Sequence, residues 1–569
     1  MKVTNFFIFS LSLTFLFSCS HSALQTNSDK DTVRILHLND HHSKLNASQL
    51  KLGNKGESVD VGGYPRVVTM MNDLSKDHPN VIRIHAGDAT TGDLFYTLFD
   101  GKADAELMNE VCFDAMTFGN HEFDKGDVGL KKFIDYLNLG KCPPALVSAN
   151  VRPQVGKSPL SPKADWEFFK PYAVKEVSGH KIGIIGLTIA KKTKESSSPD
   201  KSTMFLDETQ TAQKYIDELR AQGVMRIILV THIGLENDLP MISKLHGVGV
   251  IVGGDSHTLL GNDFKSLGLN PVDDYPIRTK NADGKLACVV QSWEYSLVVG
   301  ELNVKWNEAG DVESCEGKPH LLTKDVAPNK QAEEKLSVFQ AEVEKMKTAI
   351  IAKAEDDFCL VRIPGEKRSQ ICSPTQTAKH GSDIATIVAY SFLNQSKTAD
   401  FALQNGGGVR TDLAKGDVSI GDVYKVLPFA NKLVNVKMSG AEVKQALEEA
   451  LDYALEPGGS TGAYPYAAGL RFNVDLKAQK GKRITKIQIK ERKSKKWKAL
   501  NLTKNYVVIT SDYIASGKDG YALFAKIQKE GRIEETYLDY AQAFVDYLKA
   551  QKVLKKIPYS DYSTQSIKL

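Results

Sequence analysis

The sequence predicts a layered α/β architecture in two units joined by a helix, and three observations carry that prediction. Short apolar or β-branched runs recur through the first half, and each stops abruptly at Asp, Asn or His. Helical stretches such as 64–74 and 209–221 separate them, the alternation from which layered α/β domains are built. A stretch rich in Ala, Glu, Lys and Gln, 327–354, then carries Leu336, Phe339, Val343 and Met346 at helix-face spacing, and a new strand and helix texture follows it.

The runs, in order, are 33–38 before Asn39-Asp40-His41-His42 and 81–84 before His85-Ala86-Gly87-Asp88. Next come 115–118 before Gly119-Asn120-His121-Glu122-Phe123-Asp124, 227–230 before Thr231-His232, and 248–252 before Gly253-Gly254-Asp255-Ser256-His257. Each reads as a buried strand. Ligands collect where the strands of such sheets end in loops, so five strand ends bearing metal-ligand side chains are expected to converge on one face. Past the helix of 327–355, the runs 399–403 and 506–509 read as strands and Gly440–Leu455 as a helix, a second α/β unit over 356–569. The lysine-dense stretch 477–498, with Ile484, Ile487 and Ile489 interleaved, reads as the solvated face of a hairpin.

A length of 569 residues excludes a single small module, and 42% hydrophobic with 25% charged residues excludes disordered, collagen-like and multi-spanning chains. With 73 basic against 69 acidic residues, charge argues for no nucleic-acid partner. Residues 1–30 stand apart from the first unit, 31–326. Lys2, the apolar stretch 6–17 and Ser18-Cys19-Ser20 have the layout of a secretory signal, too short to span a membrane as a mature helix. Leu16-Phe17-Ser18-Cys19 is similar to a bacterial lipobox, which would put a lipid anchor on Cys19; ordinary cleavage near Ala23 is the alternative. Either places the protein in the periplasm or on the cell surface. Cys112, Cys142, Cys288, Cys315, Cys359 and Cys372 then meet an oxidising compartment, and neighbours in sequence suggest the pairs 112 with 142, 288 with 315 and 359 with 372. Six cysteines allow about 15 connectivities.

Asp40, His42, Asp88, Asn120, His232, Asp255 and His257 supply the oxygen and imidazole donors that suit manganese, zinc or similar divalent ions. Seven donors suffice for two ions bridged by one carboxylate, here Asp88, a pair that activates water and holds a phosphoryl oxygen. Singly each is weak: a histidine after a strand is commonly structural, and Asp-Gly at a strand end is commonly a turn. Their joint order resembles the calcineurin-like metallophosphoesterases, and more narrowly the secreted 5′-nucleotidase family with its NAD nucleotidase branch.

That resemblance implies a four-layer α/β/β/α metallophosphoesterase domain followed by an α/β substrate-binding domain. It implies Asp40, His42, Asp88 and His257 around one ion, with Asp88, Asn120, His232 and Asp255 around the other. Asp255 departs from the histidine common at its position and should favour oxygen-loving ions such as manganese. His121, oriented by Asp124, is implied as the catalytic histidine facing the phosphoryl oxygens, where a helix cap is the plainer reading of Asp124.

In the second unit, Gln404-Asn405-Gly406-Gly407-Gly408-Val409-Arg410, the stretch 427–431 and the stretch 511–521 resemble nucleotidase motifs. Phe429 and Tyr513 match the rings that clamp the base, Asn405 and Asp519 would hold the ribose, Asn431 would lie near the base, and Arg410 and Arg368 would grip phosphate. Phe429 has a plain core reading as well. The usual second arginine near Arg368 is not evident, and the segment through His380-Gly381-Ser382-Asp383 is more like the NAD nucleotidase branch.

The expected activity is hydrolysis of AMP and other nucleoside 5′-monophosphates, with NAD or UDP-sugar pyrophosphate bonds as further substrates, by in-line attack of a metal-bound hydroxide. The rivals are a 2′,3′-cyclic-nucleotide phosphodiesterase/3′-nucleotidase and a non-catalytic nucleotide-binding surface lipoprotein.

Overall fold

The computed structural model describes residues 32–568 apart from 54–56, 77, 370, 430 and 457–459. The segment expected to be a secretory signal, with Cys19, lies outside them. Among the described residues no helix is long and apolar enough to cross a membrane.

Two six-stranded sheets form the centre of the first unit. One runs in the order Val312–Leu321, Val298–Trp306, Thr32–Leu38, Val81–His85, Ala115–Thr117, Ala145–Val147, and the last four strands are parallel. The other runs Ile277–Lys280, Leu286–Val290, Val250–Val252, Arg226–His232, His180–Thr188, Tyr172–Val177, with its four central strands parallel. Strand alternation explains the layering. In Thr32–Leu38, Val33 and Ile35 point into the core shared with Ile184, Ile228 and Val250 of the facing sheet. Leu36 and Leu38 point the other way, onto the layer holding Val67, Val68 and Met71 of the helix Tyr64–Lys76. The helix Glu208–Ala221, capped by the Asp207 carboxylate accepting from Gln210 N, covers the second sheet through Ala212, Ile216 and Leu219. The result is four layers, α/β/β/α.

Cys288 and Cys315 sit on different sheets, so the disulfide between them ties the two layers together; Cys112–Cys142 and Cys359–Cys372 complete the described pairs. The 288–315 link closes 27 residues of sequence separation. Replacing both cysteines by alanine should cost about 3–4 kcal/mol in urea unfolding, through the freed entropy of the unfolded chain. An unchanged midpoint would show that the sheets need no such tie.

The expected helix of 327–355 is shorter in the structure. It runs Lys330–Lys347 from an Asn329 cap, and Ile350–Ala354 is a strand paired with Gly416–Ser419. Ile350 and Ile351 are β-branched residues that favour a strand once neighbours are available to pair with. The helix docks on the first unit: the Phe339 ring meets Phe99 edge-on at 4.8 Å, and Lys335 pairs with Glu110 at 2.6 Å.

The second unit is built on a five-stranded sheet ordered Pro465–Ala468, Phe401–Asn405, Asn505–Ser511, Lys432–Ser439, Ile533–Asp539. The helix Gly440–Leu455 begins at Ser439, whose side chain and that of Glu442 satisfy each other's backbone N–H groups. The stretch 477–498 contributes to a separate four-stranded sheet, with Ile484 and Ile489 buried beneath its lysines.

Candidate active site

The parallel strands of both sheets end at one edge, and there the predicted donors meet. Asp40, His42, Asp88, Asp255 and His257 all carry left-handed backbone, φ between 49° and 78°. Such conformations cost about 1–3 kcal/mol each at non-glycine residues and persist where the surroundings impose them. Glycines leave the room: a Cβ on Gly119 would fall 2.1 Å from Asp88 Oδ1, and one on Gly87 2.7 Å from His232 Nδ1.

Two groups have ligand atoms close enough to share an ion: Asp40, His42 and His257, and Asp40, Asp88 and His232. His42 Nε2 lies 3.0 Å from His257 Nε2 and 3.7 Å from Asp88 Oδ2; His232 Nε2 lies 3.0 Å from Asp88 Oδ2 and 3.6 Å from Asp255 Oδ1. Asp40 as well as Asp88 thus bridges the set. The other ring nitrogen of each histidine is tied down: His42 Nδ1 to Thr91 O, His232 Nδ1 to Ala86 O, His257 Nδ1 to Glu294 Oε2. Each Nε2 is thereby left to point inward.

The donor set fits divalent cations. Both amide atoms of Asn120 and His121 Nε2 are buried without a hydrogen-bond partner, and Asp88 Oδ2 and His232 Nε2 have none beyond their own ion pair at 3.0 Å, which is costly unless a ligand completes them. Burial opposes charge on His232 and His257, yet Asp88 and Asp40 push the first up to about 10, and Asp40 with Glu294 push the second to about 9. His42 is held well below its usual range by burial and by neighbouring His257 and His121.

His121 lies beside this centre. Its backbone N–H donates to Asp88 Oδ1 at 2.9 Å and its Nδ1 meets Asp124 Oδ2 at 2.6 Å. Asp124 makes no cap to the following helix; it orients the ring. Burial works against the imidazolium, but Asp124 and Asp88 outweigh it and raise the pKa.

Sequence reasoning gave no role to four groups found here. Glu122 accepts from the backbone N–H groups of Asp88, Ala89 and Gly119, stapling two ligand loops together; it stood unremarked beside His121. Behind them His41 links His85, at 2.9 Å, to Asp104, at 3.2 Å. Lys192 Nζ pairs with Asp255 Oδ1 at 2.7 Å. Tyr537, from the second unit, stacks on His257 with centroids 3.9 Å apart. No local pattern marks the last two.

The predicted nucleotide-facing residues gather on the second unit instead. Asn405 Nδ2 donates to Asp519 Oδ2 at 2.7 Å, Tyr513 OH to Asp519 Oδ1 at 3.1 Å, and the Arg410 guanidinium lies 5.4 Å from the Phe429 ring centre. Phe429 is 43% and Tyr513 40% exposed, which excludes the core reading of Phe429. Asn431 lies beside Tyr513 in a separate small recess that also reaches Glu535. Arg362, to which sequence reasoning gave no role, has its pKa lowered by burial and by the charges of Arg368 and Arg410. Among the described residues, no hydrogen bond, ion pair or ring contact joins Asn405, Arg410, Phe429, Asn431, Tyr513 or Asp519 to the donors around Asp88.

Residues 33–259 match the calcineurin-like phosphoesterase model, and residues 361–526 the 5′-nucleotidase C-terminal domain. The chain is 37% identical to an NAD 5′-nucleotidase of Haemophilus influenzae, covering 94% of this chain and 91% of that one. It is 36% identical to a probable 5′-nucleotidase of Treponema pallidum, covering 91% and 92%. The solved structure of the Haemophilus influenzae NAD nucleotidase superposes with a TM-score of 0.84 at 33% identity, over 94% of this chain and 98% of that one. The chain therefore belongs to the 5′-nucleotidase family, hydrolases that join a calcineurin-like metallophosphoesterase domain to a 5′-nucleotidase C-terminal domain.

Proposed function

We propose that the protein is an exported 5′-nucleotidase that releases phosphate from nucleoside 5′-monophosphates and also cleaves the pyrophosphate bond of NAD or UDP-sugars. The observation that carries the reading is the pair of adjoining donor groups, Asp40 with His42 and His257 and Asp40 with Asp88 and His232, in each of which the ligand atoms lie within 4.8 Å of one another. Two divalent ions bound by Asp40, His42, Asp88, Asn120, His232, Asp255 and His257 would supply a nucleophile at neutral pH and neutralise phosphoryl charge. His121, oriented by Asp124 at 2.6 Å and beside Asp88, would face the charge that grows on the phosphoryl oxygens, where a preorganised donor lowers the barrier. Asn405 and Asp519 hold the ribose, Phe429 and Tyr513 sandwich the base, Asn431 lies toward it, and Arg362, Arg368 and Arg410 grip phosphate.

The donors and the nucleoside face stand on different units, so turnover needs them brought together by a domain movement. Two solved relatives support such freedom: at 33% and 34% identity, both over 94% of this chain, they superpose with TM-scores of 0.84 and 0.58. Relatives this similar and this fully matched differ so much most simply when their halves are set differently. The NAD reading draws on the named activity of the Haemophilus influenzae relative. Export draws on residues 1–30 and the three disulfides; palmitate labelling lost in Cys19→Ala would establish the lipid anchor.

The test is a hydrolysis panel of AMP, 3′-AMP, 2′,3′-cyclic AMP and NAD on chelated protein with manganese or zinc restored. Phosphate from AMP is expected, and from NAD both mononucleotides followed by adenosine, nicotinamide riboside and phosphate; no release from AMP with either ion would overturn the reading. Base stacking contributes about 1–3 kcal/mol per ring. Phe429→Ala and Tyr513→Ala should each raise KM for AMP about tenfold with little change in kcat, and an unchanged KM in both would remove the clamp.

A further inference from the structure

We propose that Lys192 is a positioning residue of the metal centre, holding the Asp255 carboxylate in place and moderating the charge it offers to an ion. The inference rests on the two-ion reading above.

The chain delivers Lys192 to the site by topology. The strand His180–Thr188 lies parallel to Arg226–His232 with Thr188 in register with His232, and the helix Ala190–Ser196 begins two residues later at the same edge. Lys191 and Lys194 of that helix face solvent, whereas Lys192 turns inward with its side chain 11% exposed. Its Nζ sits 2.7 Å from Asp255 Oδ1 and 4.1 Å from the centre of the Tyr537 ring. A cleft of about 700 Å³ opens beside the pair and would let a longer or shorter side chain relax.

A buried ammonium group is costly unless paired, so the pairing with Asp255 is a condition of its being there. Asp40, Asp88 and Asp255 bring three carboxylates to one small volume. An ion taken by His232 and Asp255 shares the Asp255 carboxylate with Lys192, so this aspartate acts as a weaker donor than an unpaired one would. The consequence expected from aspartate at this position, a stronger pull toward oxygen-loving ions, is thereby blunted.

The experiment measures apparent affinity for manganese and zinc by competition with a chromophoric chelator, with bound metal counted by mass spectrometry. The proteins are the full mature chain, Lys192→Met, Asp255→Asn, the double variant and Lys192→Arg; Lys192→Gln serves if the methionine variant does not fold. Lys192→Met should tighten one ion about tenfold in the native background, and change affinity less than about threefold when Asp255 is already asparagine. Lys192→Arg should stay within about threefold of native. An equal change in both backgrounds, or none in either, overturns the proposal, since a merely structural lysine would move thermal stability and leave affinity alone. Native protein that binds no metal would instead sink the two-ion reading itself.

Discussion

Asp88→Asn should lower kcat for AMP about a thousandfold, equivalent to about 4 kcal/mol of barrier, with bound metal falling in parallel. Asp88 touches three of the residues of the site. Its Oδ2 faces His232 Nε2 at 3.0 Å and His42 Nε2 at 3.7 Å, and its Oδ1 accepts from the His121 N–H. Burial favours the neutral acid, but His232 and His121 overcome it and hold the carboxyl well below the usual range. Asparagine keeps the shape and the His121 contact while removing the charge, so the loss reports on the cation site and not on packing. His121→Ala should cost less, about a hundredfold to a thousandfold in kcat with metal content intact, because it removes one charge-stabilising donor. Native turnover by Asp88→Asn with two ions bound would refute the dimetal reading.

How much of this was legible in the sequence follows from how local each cause is. Asp40, Asp88, Asn120, His232 and His257 were legible only together, because each alone is commonly structural or a turn and only their repetition at successive strand ends points to one face. The four-layer order needed the resemblance: Val33 and Leu36 are both simply apolar in sequence, and only the facing sheet tells them apart. Glu122 was visible but mute, since its partners are backbone N–H groups that sequence does not distinguish. Lys192 was hidden in Lys191-Lys192-Thr193-Lys194, which reads as a solvated helix until the strand register turns one lysine inward. Arg362 was passed over because Arg410, whose charge it feels, lies far along the chain, beyond the loop that Cys359–Cys372 closes around Arg362. The strand Ile350–Ala354 was read as helix because the partner that stabilises it lies more than sixty residues on.

Fixing the two units in the arrangement seen here should stop nucleotide turnover altogether. Tyr537 lies flat on His257 at 3.9 Å with an interplanar angle of 15°, and its ring centre is 5.9 Å from that of His42. Parallel rings at that spacing are in van der Waals contact, so no phosphoryl group fits between Tyr537 and His257. The same arrangement is held at its edge by Thr97 Oγ1 donating to Gln542 Oε1 at 2.9 Å and by Lys397 Nζ donating to Ser198 Oγ at 3.1 Å. These are partly exposed polar contacts worth about 0.5–1.5 kcal/mol each, weak enough for thermal opening. A short bis-maleimide across Thr97→Cys and Gln542→Cys replaces one of them with a bond that does not open. The cross-linked protein should lose at least a hundredfold in AMP turnover while each single variant, treated alike, stays within about threefold of native. Undiminished turnover after complete cross-linking would mean that substrate reaches the donors without Tyr537 leaving them, and the separation of nucleoside face from metal centre would then have no part in the catalytic cycle.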